Sequence, residues 1–257
     1  MNRTPIFKQT FSAALLLALL CWGNLFAATA QGEPATPDTE GAKLAARLLA
    51  LRPAESFTNS GVLQLRDAQG KRREFPVALA TTVTATNWSN RYTAPGITNA
   101  VGALLIVHAE GRPNQYFQPL AASGATQAQA EPLSAAAVMS PFAGCDFWLA
   151  DLGLEFLHWP GQRILKTEMR RGESCRVLES SNPQPAPGAY SRVVSWVDID
   201  TGGIVHADAY GSDRKLLKVF EPKKFQKVNG RWEVKSLEIR NERADTRTTL
   251  LFDLPAK

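Results

Sequence analysis

The sequence predicts a mainly β protein of the α+β class, in which an antiparallel sheet curls strongly and a few helices pack against it. Segments that alternate apolar and polar residues, the period-2 pattern of strands, recur through most of the chain. Short turn sequences separate them, and Asn229-Gly230 is a strong hairpin signal. Strands joined by short turns pair with their neighbours, and the constant hand of strand twist curls such a sheet.

The first residues have the organisation of an export signal. Arg3 and Lys8 form a basic start, residues 11–26 are mostly apolar, and Ala28-Thr29-Ala30 is a small-x-small cleavage site. The alternative is an uncleaved anchor helix, but the apolar run is short for crossing a bilayer. We therefore expect a signal peptide at 1–30, cleavage near Ala30, and a periplasmic product without a lipid anchor.

Cleavage removes two basic and no acidic residues, so the net charge falls from +5 to +3 (27 Lys and Arg against 24 Asp and Glu). Such a balance does not provide the dense basic stripe of a nucleic-acid-binding protein, and we expect no nucleic-acid partner. Residues 31–41, rich in Pro, Gly and acidic side chains, predict a disordered lead-in. Residues 42–257 then predict a single domain, since β-rich chains of this length often form one core.

Two helices are predicted. Leu44, Leu48 and Leu51 have helical spacing and predict a helix over 42–51, which Pro53 ends. A second helix is predicted over 146–157, with Asp146 as its cap and Gly153 as a weak point in its middle.

Ten strands are predicted, at 62–66, 75–86, 101–108, 163–169, 175–180, 191–199, 204–210, 216–221, 232–240 and 246–253. In the strand at 232–240 the apolar face switches, which predicts a bulge near Ser236. Residues 121–137 are mostly small or polar and predict a mobile connection with a helical turn near its end.

No catalytic or metal-binding motif is present in the sequence. His108, His158 and His206 fall in different predicted elements, and single histidine–carboxylate pairs are usually structural. Asp198-x-Asp200 leads into a Gly-Gly turn, but Ala209 stands where a calcium loop needs its bidentate Glu. The sequence therefore predicts no catalytic residue, no metal and no cofactor.

Cys145 and Cys175 are the cysteines that remain after signal cleavage. An oxidising periplasm permits a disulfide between them, and two buried thiols are the alternative. Sequence does not decide between these, because bridging depends on the distance between the two Cα atoms.

The stretch from residue 142 to 159 contains more apolar and aromatic side chains than one buried helix stripe requires. One interpretation is that they simply pack a helix onto the sheet. The other is that some of them cover a cavity for acyl carbons, each buried methylene contributing about 0.8 kcal/mol. The candidate cavity residues are Phe142, Phe147, Trp148, Leu152, Phe156, Trp159 and, from a later strand, Trp196.

Residues 144–253 resemble the C-terminal part of the LolA-like outer membrane lipoprotein-sorting proteins. The segments that carry the resemblance are Gly144-Cys145-Asp146-Phe147, Asp151-Leu152, Cys175-Arg176-Val177-Leu178-Glu179, Tyr190-Ser191-Arg192-Val193-Val194-Ser195-Trp196-Val197-Asp198, Ala209-Tyr210, Lys215-Leu216-Leu217-Lys218, Val228-Asn229-Gly230-Arg231-Trp232, Asn241 and Thr246-Arg247-Thr248-Thr249. Their order along the chain makes the resemblance more specific than any one segment. Cys145 departs from the pattern, which has a hydroxyl or small residue there, and so does the Ala-rich insertion before Phe142.

The resemblance implies an unclosed, strongly curved antiparallel β-barrel of the LolA/LolB kind, with a helical lid over a hydrophobic cavity. It implies a monomeric periplasmic carrier that moves acyl chains of lipoproteins or other lipids toward the outer membrane. Its partners would be an inner-membrane release complex and an outer-membrane acceptor, and no nucleotide or metal would take part. The alternatives are a non-catalytic envelope interaction module whose core is filled by its own side chains, and a secreted hydrolase, which needs catalytic side chains converging in a cleft.

Overall fold

Thirteen antiparallel strands form one continuous sheet in the computed structural model, which describes residues 39–97, 101–119, 130–228 and 231–254. The strands are β1 Phe57–Arg66, β2 Arg72–Val83, β3 Asn87–Thr93, β4 Ala103–Ala109, β5 Gln115–Pro119, β6 Ala130–Pro132, β7 Gly161–Arg170, β8 Glu173–Ser181, β9 Tyr190–Asp198, β10 Ile204–Gly211, β11 Leu216–Val228, β12 Arg231–Asn241 and β13 Thr246–Phe252.

The sheet has the order β6-β5-β4-β3-β2-β1-β13-β12-β11-β10-β9-β8-β7. Every pair except β1–β13 joins strands that follow each other in the chain, as expected of hairpin connections. The order ends at β6 and β7, so the described strands form an open, strongly curved sheet, an unclosed β-barrel. Residues 133–160, here called the lid segment, run from one edge strand to the other.

The helices are short. α1 covers Thr39–Leu49, and the lid segment contains α2 Ala135–Val138, α3 Leu149–Leu152 and a 3₁₀ turn at Glu155–His158. α1 buries Leu44, Ala45 and Leu48, the stripe expected from their spacing. Gly41 lets the start of α1 approach β7, because a Cβ there would lie 2.5 Å from the carbonyl oxygen of Gln162. Within the described residues no helix is both long and apolar enough to cross a membrane.

The predicted helix over 146–157 is wrong in extent. The chain forms α3 and then the 3₁₀ turn, because Leu154 between them adopts a left-handed backbone with φ of 50°. Asp146 is not the cap: the carboxylate of Asp151 accepts the N–H of Trp148 at 2.7 Å at the start of α3. Asp146 instead accepts hydrogen bonds from Thr246 and Thr248 of β13.

All ten predicted strands are present, and β3, β5 and β6 are strands that the sequence did not predict. The predicted bulge is confirmed, since the pairing of β11 with β12 shifts register on both sides of Lys224 and Ser236. β6 lies where a mobile connection was expected, whereas α2 begins within the predicted helical turn at the end of that stretch. The predicted signal peptide, nearly all of the lead-in, residues 121–129 and the Asn229-Gly230 turn lie outside the described residues.

Two apolar clusters fill the side of the sheet that faces the lid segment. The first joins β1–β5 and β11–β13 to Phe142, Phe147 and Leu149 of the lid segment. The second joins α1 and the 3₁₀ turn to β8–β11. Phe142 and Phe147 are each 1 % exposed, so the lid segment fills much of the interior with its own side chains.

Cys145 and Cys175 are both free, buried thiols. Cys145 belongs to the first apolar cluster, whereas Cys175 packs with Val177, Val194 and Trp196 in a separate one. Of the two alternatives that the sequence left open, the structure contains two buried thiols.

Candidate functional site

An apolar groove of about 310 Å³ opens between α1, the lid segment and the sheet. We call it the apolar groove. Its lining residues are Leu48, Leu51, Leu79, Tyr92, Phe147, Asp151, Leu152, Leu154, Gly202, Gly203, Ile204, Phe220, Pro222, Val234, Leu237, Leu250 and Phe252. The volume lies at the lower end of the range of about 300–1,000 Å³ that is typical of small-molecule sites.

The strands supply this lining because alternate residues of a strand point to the same face. Leu79 of β2 and Leu250 and Phe252 of β13, on strands that flank β1, therefore all point to the lid-facing side of the sheet. The bulge between β11 and β12 brings Val234 and Leu237 to the same groove although they are an odd number of residues apart. The surface is chemically suited to hydrocarbon.

The structure separates the predicted cavity residues. Phe147 and Leu152 line the apolar groove. Phe156 lines a small pocket of about 20 Å³, and Trp159 lines a different cavity described below. Phe142 lines none of these three spaces and packs edge-on against Tyr92 in the first cluster, with ring centroids 6.1 Å apart.

Trp196 lies on the opposite face of the sheet, which corrects its assignment to the cavity. Along β9, Val193 and Val197 belong to the lid-facing cluster, and alternation turns Trp196 to the other side. There its ring packs against His206 and its Nε1–H donates to Glu168. The sequence showed that Trp196 is apolar and in a strand, but not which face of the strand is covered.

Trp148 is not a groove residue but belongs to a polar cluster around the buried Lys218. Its ring stacks on Tyr190, with centroids 4.4 Å apart, and the Nζ of Lys218 lies 3.7 Å from its centroid. Lys218 is 1 % exposed and its Nζ lies 3.5 Å from the Oδ2 of Asp151. The same ammonium donates to the carbonyl of Asp146 at 2.7 Å. β11 is thereby joined to the lid segment by a buried ion pair.

Burial controls the protonation of this ion pair. Desolvation raises the pKa of Asp151, partly offset by the nearby Lys218, and lowers the pKa of Lys218 to about 8. Asp151 also accepts hydrogen bonds from the N–H of Trp148 and the hydroxyl of Tyr190, at 2.7 and 3.2 Å. Asp151 is the one carboxylic acid among the described residues that line the groove. Its carboxylate makes its hydrogen bonds and its ion pair with groups of the protein itself.

Sequence reasoning missed most of the groove. Leu48 and Leu51 were assigned to a helix without a role in the site, and Gly202 and Gly203 were interpreted only as a hairpin turn. Leu51 is 63 % exposed, an unusual position for a leucine at the rim of an apolar space. Its place just after the last buried turn of α1 is the signal that could have indicated the rim.

The open curved sheet with a lid segment defines the class of protein: a LolA-like fold. A DUF1329 family protein from Desulfovibrio piger aligns with a TM-score of 0.66 at 17 % identity, over 86 % of this chain and 95 % of that one. A putative outer membrane lipoprotein-sorting protein domain from Vibrio parahaemolyticus gives 0.67 at 18 %, over 84 % and 91 %. A LolA superfamily protein from Nitrosomonas europaea gives 0.57 at 16 %, over 86 % and 96 %.

These identities are low, so the three structures are evidence for the fold. No curated protein matches the chain. Residues 127–255, half of the sequence, match the model of a family described as "Uncharacterized protein", and the chain belongs to that family.

Proposed function

We propose that the protein is a non-catalytic periplasmic carrier that binds an acyl chain of a lipoprotein or another lipid in the apolar groove. The observation that carries the proposal is the groove itself: about 310 Å³ lined by aliphatic and aromatic side chains from α1, the lid segment and the sheet. The predicted export signal and the LolA-like fold support it. Residues 42–257 would form the single lipid-binding domain of a monomer.

The physical basis of binding is transfer of hydrocarbon from water to an apolar surface. Each buried methylene contributes about 0.8 kcal/mol, or about fourfold in affinity. Affinity should therefore rise with chain length until the groove is full and then level off. The described lining residues include no cationic group that could anchor a charged head group. The proposal therefore places the head group outside the groove, at the rim formed by Leu51, Gly202 and Gly203.

The direct test is displacement of a fluorescent fatty acid from delipidated protein by unlabelled fatty acids of increasing length. The proposal expects about fourfold tighter binding for each added methylene in the short members of the series. Leu51→Asp should weaken binding by about tenfold, because it puts a charge at the rim. Met169→Asp is the matched control: Met169 is 65 % exposed, against 63 % for Leu51, and lies on edge strand β7 away from the groove.

Two results would contradict the proposal: no uptake of the probe by folded, delipidated protein, or an affinity independent of chain length. Either would favour the second candidate, an envelope interaction module of the same fold. The observation that favours this candidate is the burial of Phe142, Phe147 and Leu149, which fill the interior from the lid segment.

A further inference from the structure

A second cavity, of about 450 Å³, lies against residues at the start and at the end of the lid segment. It shares no lining residue with the apolar groove. We call it the polar cavity. β5, the start of the lid segment with α2, the 3₁₀ turn and the β8–β9 connection surround it. Its lining residues are Asn114, Gln115, Tyr116, Phe117, Pro132, Leu133, Ala135, Ala136, Val138, Met139, Glu155, Trp159, Asn182, Gln184, Ala186 and Ala189.

The polar groups on one wall are held in place by a chain of hydrogen bonds. The Oδ1 of Asn114 lies 2.7 Å from the Nδ1 of His108, and its Nδ2 donates to the carbonyl of Gly153 at 2.7 Å. The hydroxyl of Tyr116 donates to Glu155 at 2.9 Å. Because Tyr116 belongs to β5 and Glu155 to the 3₁₀ turn, these bonds fix the wall between two separate elements. Such a wall is rigid, so a ligand that packs against it meets no ordering cost on binding.

The charge of the lining restricts the ligand. Its described residues include no Lys, Arg or His, so a phosphate or carboxylate would enter without a counter-charge. Glu155 is its one carboxyl group, and burial raises the pKa of that carboxyl toward the neutral form. Asn182 and Gln184, whose side chains carry amides, also line the cavity. Amide groups supply both donors and acceptors without a formal charge.

The other wall is apolar. Phe117, Pro132 and Trp159 lie beside the aliphatic residues of the lid segment. A ligand that satisfies both walls has hydroxyl groups along its edges and C–H groups on its faces, which is the chemistry of a sugar ring. Hydroxyls are matched by amide and carboxyl groups, and C–H faces are matched by aromatic and proline rings.

We propose that the polar cavity is a second binding site, which takes a neutral, hydroxyl-rich group of the sugar type. The group belongs either to a free saccharide or to the head group of a glycolipid, and both present the same chemistry to this wall. The site is independent of the acyl-chain groove.

Saturation-transfer NMR tests the proposal with two probes, methyl β-glucoside as the free sugar and octyl β-glucoside below its micelle concentration. The expected result is saturation transfer to the ring protons of the probes.

Ala136→Trp, at an exposed helix position in the lining, should fill the cavity and reduce that transfer at least tenfold. Gln184→Ala, on an exposed part of the β8–β9 connection, should reduce affinity about fivefold by removing a hydrogen-bonding amide. Ala42→Trp, at an exposed position of α1 outside the lining, should leave it unchanged.

Ring-proton transfer with methyl β-glucoside would show that a free sugar is sufficient for binding. Ring-proton transfer with octyl β-glucoside alone would show that the ligand is the head group of a glycolipid. Absence of ring-proton transfer from both probes, or equal transfer in Ala136→Trp and Ala42→Trp, refutes the site. Transfer confined to the octyl protons and abolished by palmitate also refutes it, because the probe then occupies the apolar groove alone. Fatty-acid displacement should be the same in Ala136→Trp and the wild-type protein, so failure at one site is separable from failure at the other.

Discussion

Replacing Lys218 with Met should destabilise the protein by about 3–5 kcal/mol, the range found when one partner of a buried ion pair is removed. The estimate follows from the burial of both groups: the side chain of Lys218 is 1 % exposed and that of Asp151 is 10 % exposed. Methionine fills most of the volume of the lysine stem, so the cost comes mainly from the carboxylate that is left without its cation. The N–H of Trp148 and the hydroxyl of Tyr190 still donate to that carboxylate, which keeps the estimate from being larger.

The pH dependence of Lys218→Met follows from the same carboxylate. The pKa of Asp151 is already raised by burial in the wild-type protein, and loss of the Lys218 charge raises it further. Between the unfolded pKa and the raised native pKa the folded variant binds more protons than the unfolded chain, so its free energy of unfolding falls as pH rises. The deficit relative to wild type should therefore be smaller at about pH 4.5 than at about pH 7.

Urea unfolding followed by tryptophan fluorescence measures both effects, since the chain contains six Trp. Asp151→Asn leaves the ammonium of Lys218 buried without its counter-charge and should cost a similar amount. The double variant should be at least about 2 kcal/mol more stable than the sum of the single losses predicts. Single losses below about 1 kcal/mol that add without coupling would show that the pair does not hold the lid segment to β11.

Three further predictions concern the lid segment. Thr248→Val should cost about 1.5–3 kcal/mol in urea unfolding, because a fully buried hydroxyl bonds the carboxylate of Asp146 at 2.8 Å; no change would refute the role of that bond. Gly153→Ala should cost about 1–3 kcal/mol by thermal or urea unfolding, because its Cβ would lie 2.2 Å from the hydroxyl of Tyr116, and wild-type stability would contradict that contact. Cys145 should react with iodoacetamide far more slowly in the folded than in the unfolded protein, since burial raises its pKa to about 12, and equal rates read by mass spectrometry would contradict its burial.

Much of the fold was predictable because strands and turns leave local signals. The alternation of Phe75, Val77 and Leu79 predicted β2 and the face that it buries, and all three lie on the covered side. β3, by contrast, contains Asn87, Ser89 and Asn90, whose polar side chains concealed it. The hydrogen bonds of Asn90 with Thr81 and His108 on the neighbouring strands accommodate such residues in a sheet. Those partners come from pairing across strands and are not visible in a local pattern.

The lid segment shows where local patterns fail. Its apolar residues have helical spacing over 146–157, yet the chain turns at Gly153 and Leu154. The turn fits against Tyr116 of β5, which is far away in the sequence. The same tertiary contacts divided the predicted cavity residues among a groove, a small pocket, a second cavity and the opposite face of the sheet.

The sequence by itself determined the class of fold, the positions of most strands, and an apolar segment that covers the sheet, because periodicity and turn composition depend on neighbours in the chain. Only the tertiary structure decided which faces meet, that Lys218 is buried against Asp151 and Trp148, and that two separate cavities flank the lid segment. The reason is that face, burial and ion pairing depend on strand order and curvature, which bring together residues more than sixty positions apart, as Asp151 and Lys218 are.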